Sequence, residues 1–407
     1  MKKFSCFLLI LLLSFTFLSC EKNPDEVASE NTENEISLSG DSQEVSEPVA
    51  LSQPQIIEHR TSFIGVGDNI IYGTKEARIH ASGTSEQLDY KPYYNGVSDM
   101  IKNADISFIN QETLMCGDGY PLSYYPMFNS PQKVGLDLLE LGFDIINISN
   151  NHMLDKGADG LMKTIEFWKS SDAFMIGGYE NAEDYENIRV YEKDGLKIAF
   201  LSYCEMTNGL VKSAQSPIVI PYLNKEEIMR HTAAAKELAD LIFVSVHWGN
   251  EGSFIPNQTQ KDYAAFFADC GVDVILGHHP HVIQPVEWLE GKDGNKTLCV
   301  YSLGNFMAQQ AYDYNMLGGM ISFDIVHSSE VEPHLENVLF IPTVFHFGGN
   351  FLGNNVMPFE QYTPELAAVH GVRTYYSHSM SYDTLLGYIK NTVSTEFLPE
   401  FYYEEMQ

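Results

Sequence analysis

Short apolar runs alternate with segments of helical spacing over most of the chain beyond residue 60. Apolar runs of strand length cover residues 62–68, 105–110, 144–149, 197–203, 241–246 and 272–276. Between several of them, residues 130–141, 157–171, 224–239 and 258–270 repeat apolar positions with a helical period. Pro131 and Asn224 are start signals for two of these helices. Strands alternating with helices predict an α/β architecture.

The second half of the chain follows a different pattern. Residues 297–302 and 318–325 are apolar runs without a long helix between them, which predicts a more antiparallel arrangement. Residues 339–343 contain Pro342, so this run is predicted to be an edge strand, and residues 382–392 have helical spacing. We find no internal repeat and no second linker. The sequence therefore predicts one folded domain over residues 60–360, with residues 361–407 packed on it as a C-terminal helical extension.

The first residues have the pattern of a targeting segment. Lys2 and Lys3 precede an apolar stretch that is shorter than the roughly 20 residues of a spanning helix. Leu18-Ser19-Cys20 resembles a bacterial lipoprotein cleavage site, which predicts a signal peptide over residues 1–19 and lipid attachment at Cys20. An uncleaved anchor or an ordinary secretory signal are the alternatives. The protein is expected outside the cytoplasm, at the cell membrane or outer membrane.

Residues 20–59 are predicted to be a disordered, acidic tether, because the segment offers little apolar surface to bury. The whole chain carries 55 acidic residues against 24 Lys and Arg, a formal charge of −31. This balance argues against a nucleic acid partner, since a basic surface is needed to neutralise phosphates. Four cysteines remain beyond Cys20, without a CxxC pair, so a thiolate zinc site is not expected; one or two disulfides and free buried thiols both stay open.

Polar side chains with metal-binding chemistry follow the ends of several predicted strands. Because the carboxyl ends of parallel strands share one edge of a sheet, these side chains are expected to lie together. Mixed oxygen and nitrogen ligands suit zinc, manganese or iron, and a carboxylate can bridge two ions. A lone histidine at a strand end is more often structural, so the hypothesis depends on the whole set. The candidate ligands are two carboxylates, one amide and four imidazoles: Asp68, Glu112, Asn151, His152, His247, His279 and His281.

Six ordered motifs resemble the CapA/PgsA family of poly-γ-glutamate capsule biosynthesis proteins, within the calcineurin-like metallophosphoesterase superfamily. The resemblance covers about residues 62–360. The motifs are Gly67-Asp68, Asn110-Gln111-Glu112, Asn150-Asn151-His152 with Asp155 and Gly157, His247-Trp248-Gly249 with Glu251, His279-Pro280-His281-Val282, and Ser302-Leu303-Gly304-Asn305-Phe306.

The resemblance implies a four-layer αββα sandwich, in which helices flank two facing mixed sheets with a dinuclear site at their edge. Asp68 and His281 would hold the first metal, Glu112 would bridge, and Asn151, His247 and His279 would hold the second. His152 would be the catalytic histidine that acts on the reacting oxyanion or leaving group, with Asp155 to orient it. His278 is an extra histidine, which is expected to be structural or to contact a ligand.

The chain departs from the wider superfamily at two positions. The first motif of the superfamily is Asp-x-His, but here Asp68 is followed by Asn69 and Ile70, and the usual bridging aspartate is replaced by Glu112. The first metal therefore loses an imidazole, which puts ordinary phosphatase activity in doubt. Three tyrosines interleaved with Pro121 and Pro126 are interpreted as an aromatic loop packed on the body rather than a cleft wall: Tyr120, Tyr124 and Tyr125.

The sequence thus predicts a lipid-anchored, metal-dependent hydrolase with one or two Mn, Zn or Fe ions. Its substrate would be an anionic cell-envelope polymer, such as poly-γ-glutamate, or a precursor, cleaved at an ester, phosphoester or amide bond by a metal-activated water. The alternative is a non-catalytic scaffold in a membrane complex for polymer synthesis or export. A third hypothesis is capture of a metal or ligand without turnover.

Overall fold

The computed structural model describes residues 58–72, 89–328, 330–351 and 353–402. The predicted signal peptide, the predicted lipid-attachment residue Cys20 and residues 20–57 of the predicted tether lie outside these ranges. His59, at the end of the predicted tether, begins the first strand. In the described part of the chain, no helix combines the length and apolar composition needed to cross a membrane.

The first sheet has eight strands in the order β14-β13-β12-β1-β2-β3-β4, with β11 pairing separately with β1. The strands β1 to β4 run parallel, because each strand pairs in parallel register with the next. Strands β12, β13 and β14 extend the sheet in antiparallel fashion. The strands are β1 (His59–Asn69), β2 (Ile106–Gln111), β3 (Ile145–Asn147), β4 (Phe174–Ile176), β11 (Asn305–Met307), β12 (Leu317–His327), β13 (His334–His346) and β14 (Asn355–Pro358).

The second sheet has six strands in the order β5-β6-β7-β8-β10-β9. Its four central strands are parallel, and both edge strands are antiparallel to their neighbours. The sheet therefore has a parallel centre whose carboxyl ends meet at one edge. The strands are β5 (Arg189–Lys193), β6 (Leu196–Cys204), β7 (Leu241–His247), β8 (Val274–His278), β9 (Val286–Glu290) and β10 (Lys296–Val300).

Helices connect the strands and cover the sheets. Asn224 caps α5 as predicted, because its Oδ1 accepts hydrogen bonds from the backbone N–H groups of Glu226 and Glu227. The helices are α1 (Ser98–Asn103), α2 (Gln132–Glu140), α3 (Gly157–Lys169), α4 (Ala182–Glu186), α5 (Lys225–Lys236), α6 (Gln258–Asp269), α7 (Pro364–Val369), α8 (Gly371–Thr374) and α9 (Tyr382–Thr392), with short 3-10 turns at Lys91–Tyr94, Asp313–Met316, Phe359–Gln361 and Thr395–Phe397.

The two sheets pack face to face. The ring of Phe243 in β7 lies 5.4 Å from Phe63 in β1 and 5.9 Å from Phe323 in β12. Buried residues of α2 and α3 belong to the same core as the first sheet, whereas α5 and α6 pack on the alternate side chains of β6 and β7. The predicted four-layer αββα sandwich of two facing mixed sheets is therefore confirmed.

The prediction that residues 339–343 form an edge strand is confirmed for residues 339–342, which pair with β12 alone among the described strands, and is wrong for Thr343, which also pairs with β14. They belong to β13, which pairs with β12 on one side and β14 on the other. Pro342 is tolerated because β14 pairs only with Thr343–His346, so the missing N–H of the proline removes no bond from that ladder. Beyond this strand, side chains of α9 and the last described residues, including Leu385, Ile389 and Tyr402, are buried in the common core.

Candidate metal centre

The ends of strands from both sheets bring a polar cluster into the protein interior. Its members come from β1, the residues after β2 and β3, the end of β7 and the segment after β8. Each of these residues has at most 8% of its surface exposed. The structure therefore brings together all the ligands and both catalytic residues predicted from the sequence: Asp68, Glu112, Asn151, His152, Asp155, His247, His279 and His281.

A row of hydrogen bonds across four strands fixes the carboxylate of Asp68. Asn110 Nδ2 donates to Asp68 Oδ1 over 2.7 Å, and Asn147 Nδ2 donates to Asn110 Oδ1 over 2.7 Å. Ser202 on β6 completes the row by donating to Asn147 Oδ1. Because these side chains are buried, leaving any of them unpaired would cost about 1–3 kcal/mol. The row joins the two sheets beneath the site and orients Asp68.

His281 is held between Asp68 and Asn305. Its Nδ1 lies 3.1 Å from Asp68 Oδ2 and 3.0 Å from Asn305 Oδ1, which leaves Nε2 facing Glu112. Burial opposes protonation of His281, but Glu112 and Asp68 raise its pKa to about 9. Burial also opposes ionisation of Asp68, whereas the contacts with His281 lower its pKa.

Glu112 has the environment expected of a ligand whose partner is a cation. It is buried, and neither carboxylate oxygen has a hydrogen-bond partner among the described residues. Its Oε1 lies 3.8 Å from Nε2 of His247, 3.8 Å from Nε2 of His281 and 3.9 Å from Nε2 of His152. Burial and the neighbouring Asp68 raise the pKa of Glu112 well above its usual value. Divalent cations fit this donor set, because they would satisfy the unpaired oxygens.

The imidazoles of His247 and His279 lie side by side, with ring centroids 4.7 Å apart. Asn151 Oδ1 is 3.0 Å from His247 Nε2. Burial lowers the pKa of His247 well below its usual value and that of His279 to about 3, with neighbouring histidines adding to both shifts. Both rings are therefore neutral, which is the form of histidine that binds metals. His279 and His281 adopt left-handed backbone conformations, with φ of 98° and 55°.

His152 is oriented from below by Asp155. Its Nδ1 lies 2.8 Å from Asp155 Oδ2, which also accepts the backbone N–H of Phe128 over 2.6 Å. The ring of Phe128 packs edge-on against the imidazole at 4.7 Å. Because Nδ1 is engaged by Asp155, Nε2 faces the Glu112 carboxylate and the shared cavity. A histidine held in this way can donate a hydrogen bond or a proton into the site.

The family model described as "Bacterial capsule synthesis protein PGA_cap" matches residues 62–310. The chain belongs to this family. The match includes every residue of the cluster, from Asp68 to His281, and the predicted resemblance to the CapA/PgsA family is confirmed.

Two similar proteins from Bacillus are both named CapA. The chain is 32% identical over 191 residues to "Capsule biosynthesis protein CapA" of Bacillus anthracis, covering 46% of this chain and 45% of that protein. It is 31% identical over 190 residues to "PGA biosynthesis protein CapA" of Bacillus subtilis, covering 46% and 48%. The chain thus spans about half the length of the curated relatives that it matches.

Among solved structures, the chain is similar to the NAD nucleotidase NadN of Haemophilus influenzae, with a TM-score of 0.43 and 12% identity over 84% of this chain and 57% of that one. The precursor of a 5'-nucleotidase from Thermus thermophilus has the same score and identity, over 82% and 59%.

The extra histidine of this PGA_cap protein, His278, lies beneath the cluster. It is fully buried, stacks on Phe108 at 5.7 Å, and places Nδ1 3.6 Å from Asp68 Oδ1. Burial lowers its pKa to about 4, against a smaller opposing effect of Asp68. Neither ring nitrogen has a hydrogen-bond partner within the described ranges. His278 therefore contacts the predicted ligand Asp68 from the interior.

Glu251 is a ligand candidate that sequence reasoning misses, although it lies within one of the family motifs. Atoms able to bind a metal on Glu251, His279 and His281 lie within 4.8 Å of one another, as do those of Asp68, Glu112 and His247. Glu251 is exposed, on the turn that follows β7. Its short distance in the sequence from His247 is the one feature that could have suggested Glu251 as a ligand. That distance does not show that the turn folds back toward His281.

The position of the missing first-motif histidine is apolar in structure as well as in sequence. Ile70 is buried in a small cluster with Phe128 and Ala308. Because Phe128 also packs on His152, this cluster supports the catalytic candidate rather than supplying a ligand.

Proposed function

We propose that this protein is an exported, lipid-anchored, metal-dependent hydrolase in the synthesis or processing of a cell-envelope polymer such as poly-γ-glutamate. The buried Glu112 carboxylate carries the proposal, because its oxygens have no hydrogen-bond partner in the described part of the chain and Oε1 faces three imidazole Nε2 atoms. The capsule-synthesis family supports the pathway. The sequence before residue 60 supports export through a signal peptide, lipid attachment at Cys20 and an acidic tether.

The proposed ligands form two groups that share Glu112. Asp68 and His281 would hold one ion, with Glu251 in reach of the same imidazole. Asn151, His247 and His279 would hold the other. Manganese, zinc or iron suits such mixed oxygen and nitrogen ligands. When bound, divalent ions would supply Lewis-acid stabilisation and lower the pKa of a water molecule.

The chain's own residues provide positioning and proton transfer. Asp155 would accept a hydrogen bond from Nδ1–H of His152 and so aim Nε2 at the site, where the doubly protonated imidazole would donate to the leaving group or the developing oxyanion. The hydrogen-bonded amides of Asn110 and Asn147 beneath Asp68 hold its carboxylate in one orientation. The substrate would be an ester, phosphoester or amide in an anionic envelope polymer or its precursor.

A scaffold without turnover is the second candidate function. It is favoured by one observation, the packing of Ile70 where the superfamily pattern has a metal-binding histidine. Such a subunit would keep the fold and serve a membrane-bound synthase or export complex.

The test uses the full chain purified in detergent. Bound metal is measured by mass spectrometry, and hydrolysis of phosphoesters and of γ-glutamyl polymer is assayed with added manganese or zinc. His152→Ala is expected to lower kcat by about 10²–10⁴-fold with unchanged metal content, as removal of a general acid or base does. His334→Ala, at an exposed histidine on β13, is the matched control and should change neither.

The outcomes separate the hypotheses. Metal binding with no turnover on any substrate class supports the scaffold, and absence of bound metal overturns the proposed centre. The anchor is tested separately by palmitate labelling in cells, where Cys20→Ser should remove the label and leave the metal content unchanged.

A further inference from the structure

The turn after β7 carries Glu251 and is fixed against the segment after β8. The backbone N–H of Gly252 donates to the carbonyl oxygen of Pro280 over 2.8 Å, and Gln284 Nε2 donates to the carbonyl oxygen of Ser253 over 2.7 Å. Pro280 lies between two of the proposed ligands, so these bonds hold the turn beside them. Glu251 is exposed, but its backbone is therefore kept next to the metal centre.

The carboxylate of Glu251 lies within reach of ring nitrogens of the centre. Metal-binding atoms of Glu251, His279 and His281 lie within 4.8 Å of one another, and Glu251 and His281 line the same cleft of about 1060 Å³. On the interior side, His279 Nδ1 and both carboxylate oxygens of Glu112 are buried without a hydrogen-bond partner among the described residues. Burial and Asp68 account for most of the raised pKa of Glu112, and the charge of Glu251 adds to it. A cation held among these atoms would satisfy them.

The ion held by Asp68 and His281 would otherwise be short of a ligand. The superfamily pattern has a histidine two residues after the aspartate, but Ile70 stands there and is buried in an apolar cluster. Divalent ions take about four to six ligands in proteins. Asp68, His281 and the shared Glu112 provide three side chains, and Glu251 is a further one within reach of the His281 imidazole.

We propose that Glu251 supplies the ligand that Ile70 cannot, and that it makes the ion position of Asp68 and His281 the oxygen-rich one of the two. That position would have three carboxylates and one imidazole, whereas the other would have two imidazoles, one amide and the shared carboxylate. Carboxylates suit manganese and imidazoles suit zinc, so the two positions differ in the ion that they favour. This inference rests on the proposed function for the presence of two ions.

The experiment measures manganese binding to the full chain in detergent, after metals have been removed and one equivalent of zinc has been added. Zinc is expected to take the imidazole-rich position, and manganese then binds the oxygen-rich one, seen as loss of the EPR signal of free manganese. Glu251→Gln keeps the size of the side chain and should weaken manganese binding by at least about tenfold, since even residues that only orient metal ligands contribute about 10–100-fold. Its affinity for the first equivalent of zinc, measured by calorimetry, should stay unchanged. Glu287→Gln, at an exposed glutamate on β9, is the matched control and should change neither affinity.

Salt distinguishes a ligand from a charge that acts at a distance. The screening length falls from about 10 Å at 0.1 M salt to about 3 Å at 1 M. If Glu251 binds the ion directly, the loss of manganese affinity in Glu251→Gln should persist in 1 M potassium chloride. If Glu251 acts only through its field, the loss should largely disappear there.

Undiminished manganese binding in Glu251→Gln, a loss that disappears in high salt, or an equal loss of zinc affinity would overturn the inference. Failure of the zinc-loaded wild type to bind manganese would also overturn it. Each of these results leaves the proposed metal centre standing, because the wild type still binds zinc. A wild type that binds neither ion would overturn the centre itself, and the role of Glu251 with it.

Discussion

Replacing Glu112 by glutamine tests whether the buried carboxylate exists to bind a cation. Glu112→Gln keeps the size and shape of the side chain but removes its charge. In the metal-free protein the carboxylate is buried beside Asp68 without a hydrogen bond from any described residue, so its charged form is unfavourable there. The metal-free variant is therefore expected to be at least as stable as the wild type, whereas binding of the cation should be lost.

The expected rise in Tm follows from the linkage between metal binding and unfolding. A ligand at about 100 times its Kd stabilises the folded state by about 2.7 kcal/mol. For the roughly 330 described residues, an unfolding entropy of about 2.1 cal/mol/K per residue amounts to about 0.7 kcal/mol/K. Saturating manganese should thus raise the Tm of the wild type by about 4 °C. Glu112→Gln, which loses the shared ligand, should shift by less than about 1 °C.

The assay is thermal unfolding followed by circular dichroism, with manganese titrated from zero to saturation and calorimetry used to measure Kd. Asp137→Asn is the matched control, because Asp137 is a fully buried carboxylate on α2, paired with Lys133 and remote from the site. That variant should lose stability but keep the full response to manganese. An undiminished manganese shift in Glu112→Gln would refute the ligand role. A metal-free variant several kcal/mol less stable than wild type would show instead that Glu112 is structural.

Two further predictions concern buried polar side chains that stabilise the fold. Asn147→Ala should lower the free energy of unfolding by about 2–4 kcal/mol, because Asn110 and Ser202 lose buried hydrogen-bond partners. Urea unfolding would show this as a lower midpoint at unchanged slope. Asn187→Ala, at an exposed asparagine, is the control and should have little effect. Burial lowers the pKa of His370 to about 3, and the neighbouring His346 adds to this shift. As pH falls, the unfolded state therefore binds the proton before the folded state does. The stabilisation by neutral His370 is lost progressively as pH falls below about 6.5, the ordinary pKa of histidine. The stability advantage of wild type over His370→Gln should therefore shrink by about 2 kcal/mol from pH 7 to pH 5, and a constant difference in chemical denaturation would contradict this.

The central strands could be predicted from the sequence because they are apolar throughout and end in polar residues. In β7, every residue from Leu241 to His247 is buried, so burial and chemistry are both visible in the local pattern. The edge strands β5 and β9 could not be predicted in this way. They are half-exposed and carry charges, as in Arg189–Lys193, and only their pairing with β6 and β10 makes them strands.

The site could be predicted where ligands directly follow strands, and not where loops return to it. Glu251 lies on an exposed turn whose path toward His281 depends on tertiary packing, so the local pattern does not indicate the direction of its side chain. The prediction that the tyrosine loop packs on the body is right for Tyr120, which packs against the core. It is wrong for Tyr124 and Tyr125, which line a cleft beside His281 and Glu251, and Tyr125 exposes 69% of its surface. The position of Tyr125 depends on contacts with the rings of Tyr72 and Phe128, and the Tyr72 contact joins two segments that are far apart in the sequence.

Relative to the superfamily pattern, the centre lacks the histidine at the position of Ile70 and has the carboxylate of Glu251 within reach. This difference changes the charge that the centre would present to a substrate. Asp68, Glu112 and Glu251 contribute three negative charges, so two divalent ions with neutral histidines would leave a formal charge of about +1. A site with two carboxylates and a histidine in place of Ile70 would keep one more positive charge. The weaker field favours a reacting group with one negative charge or none over a phosphate monoester dianion. The ratio of kcat/KM for a phosphodiester to that for the matching monoester measures this preference, and a ratio well below one would contradict it.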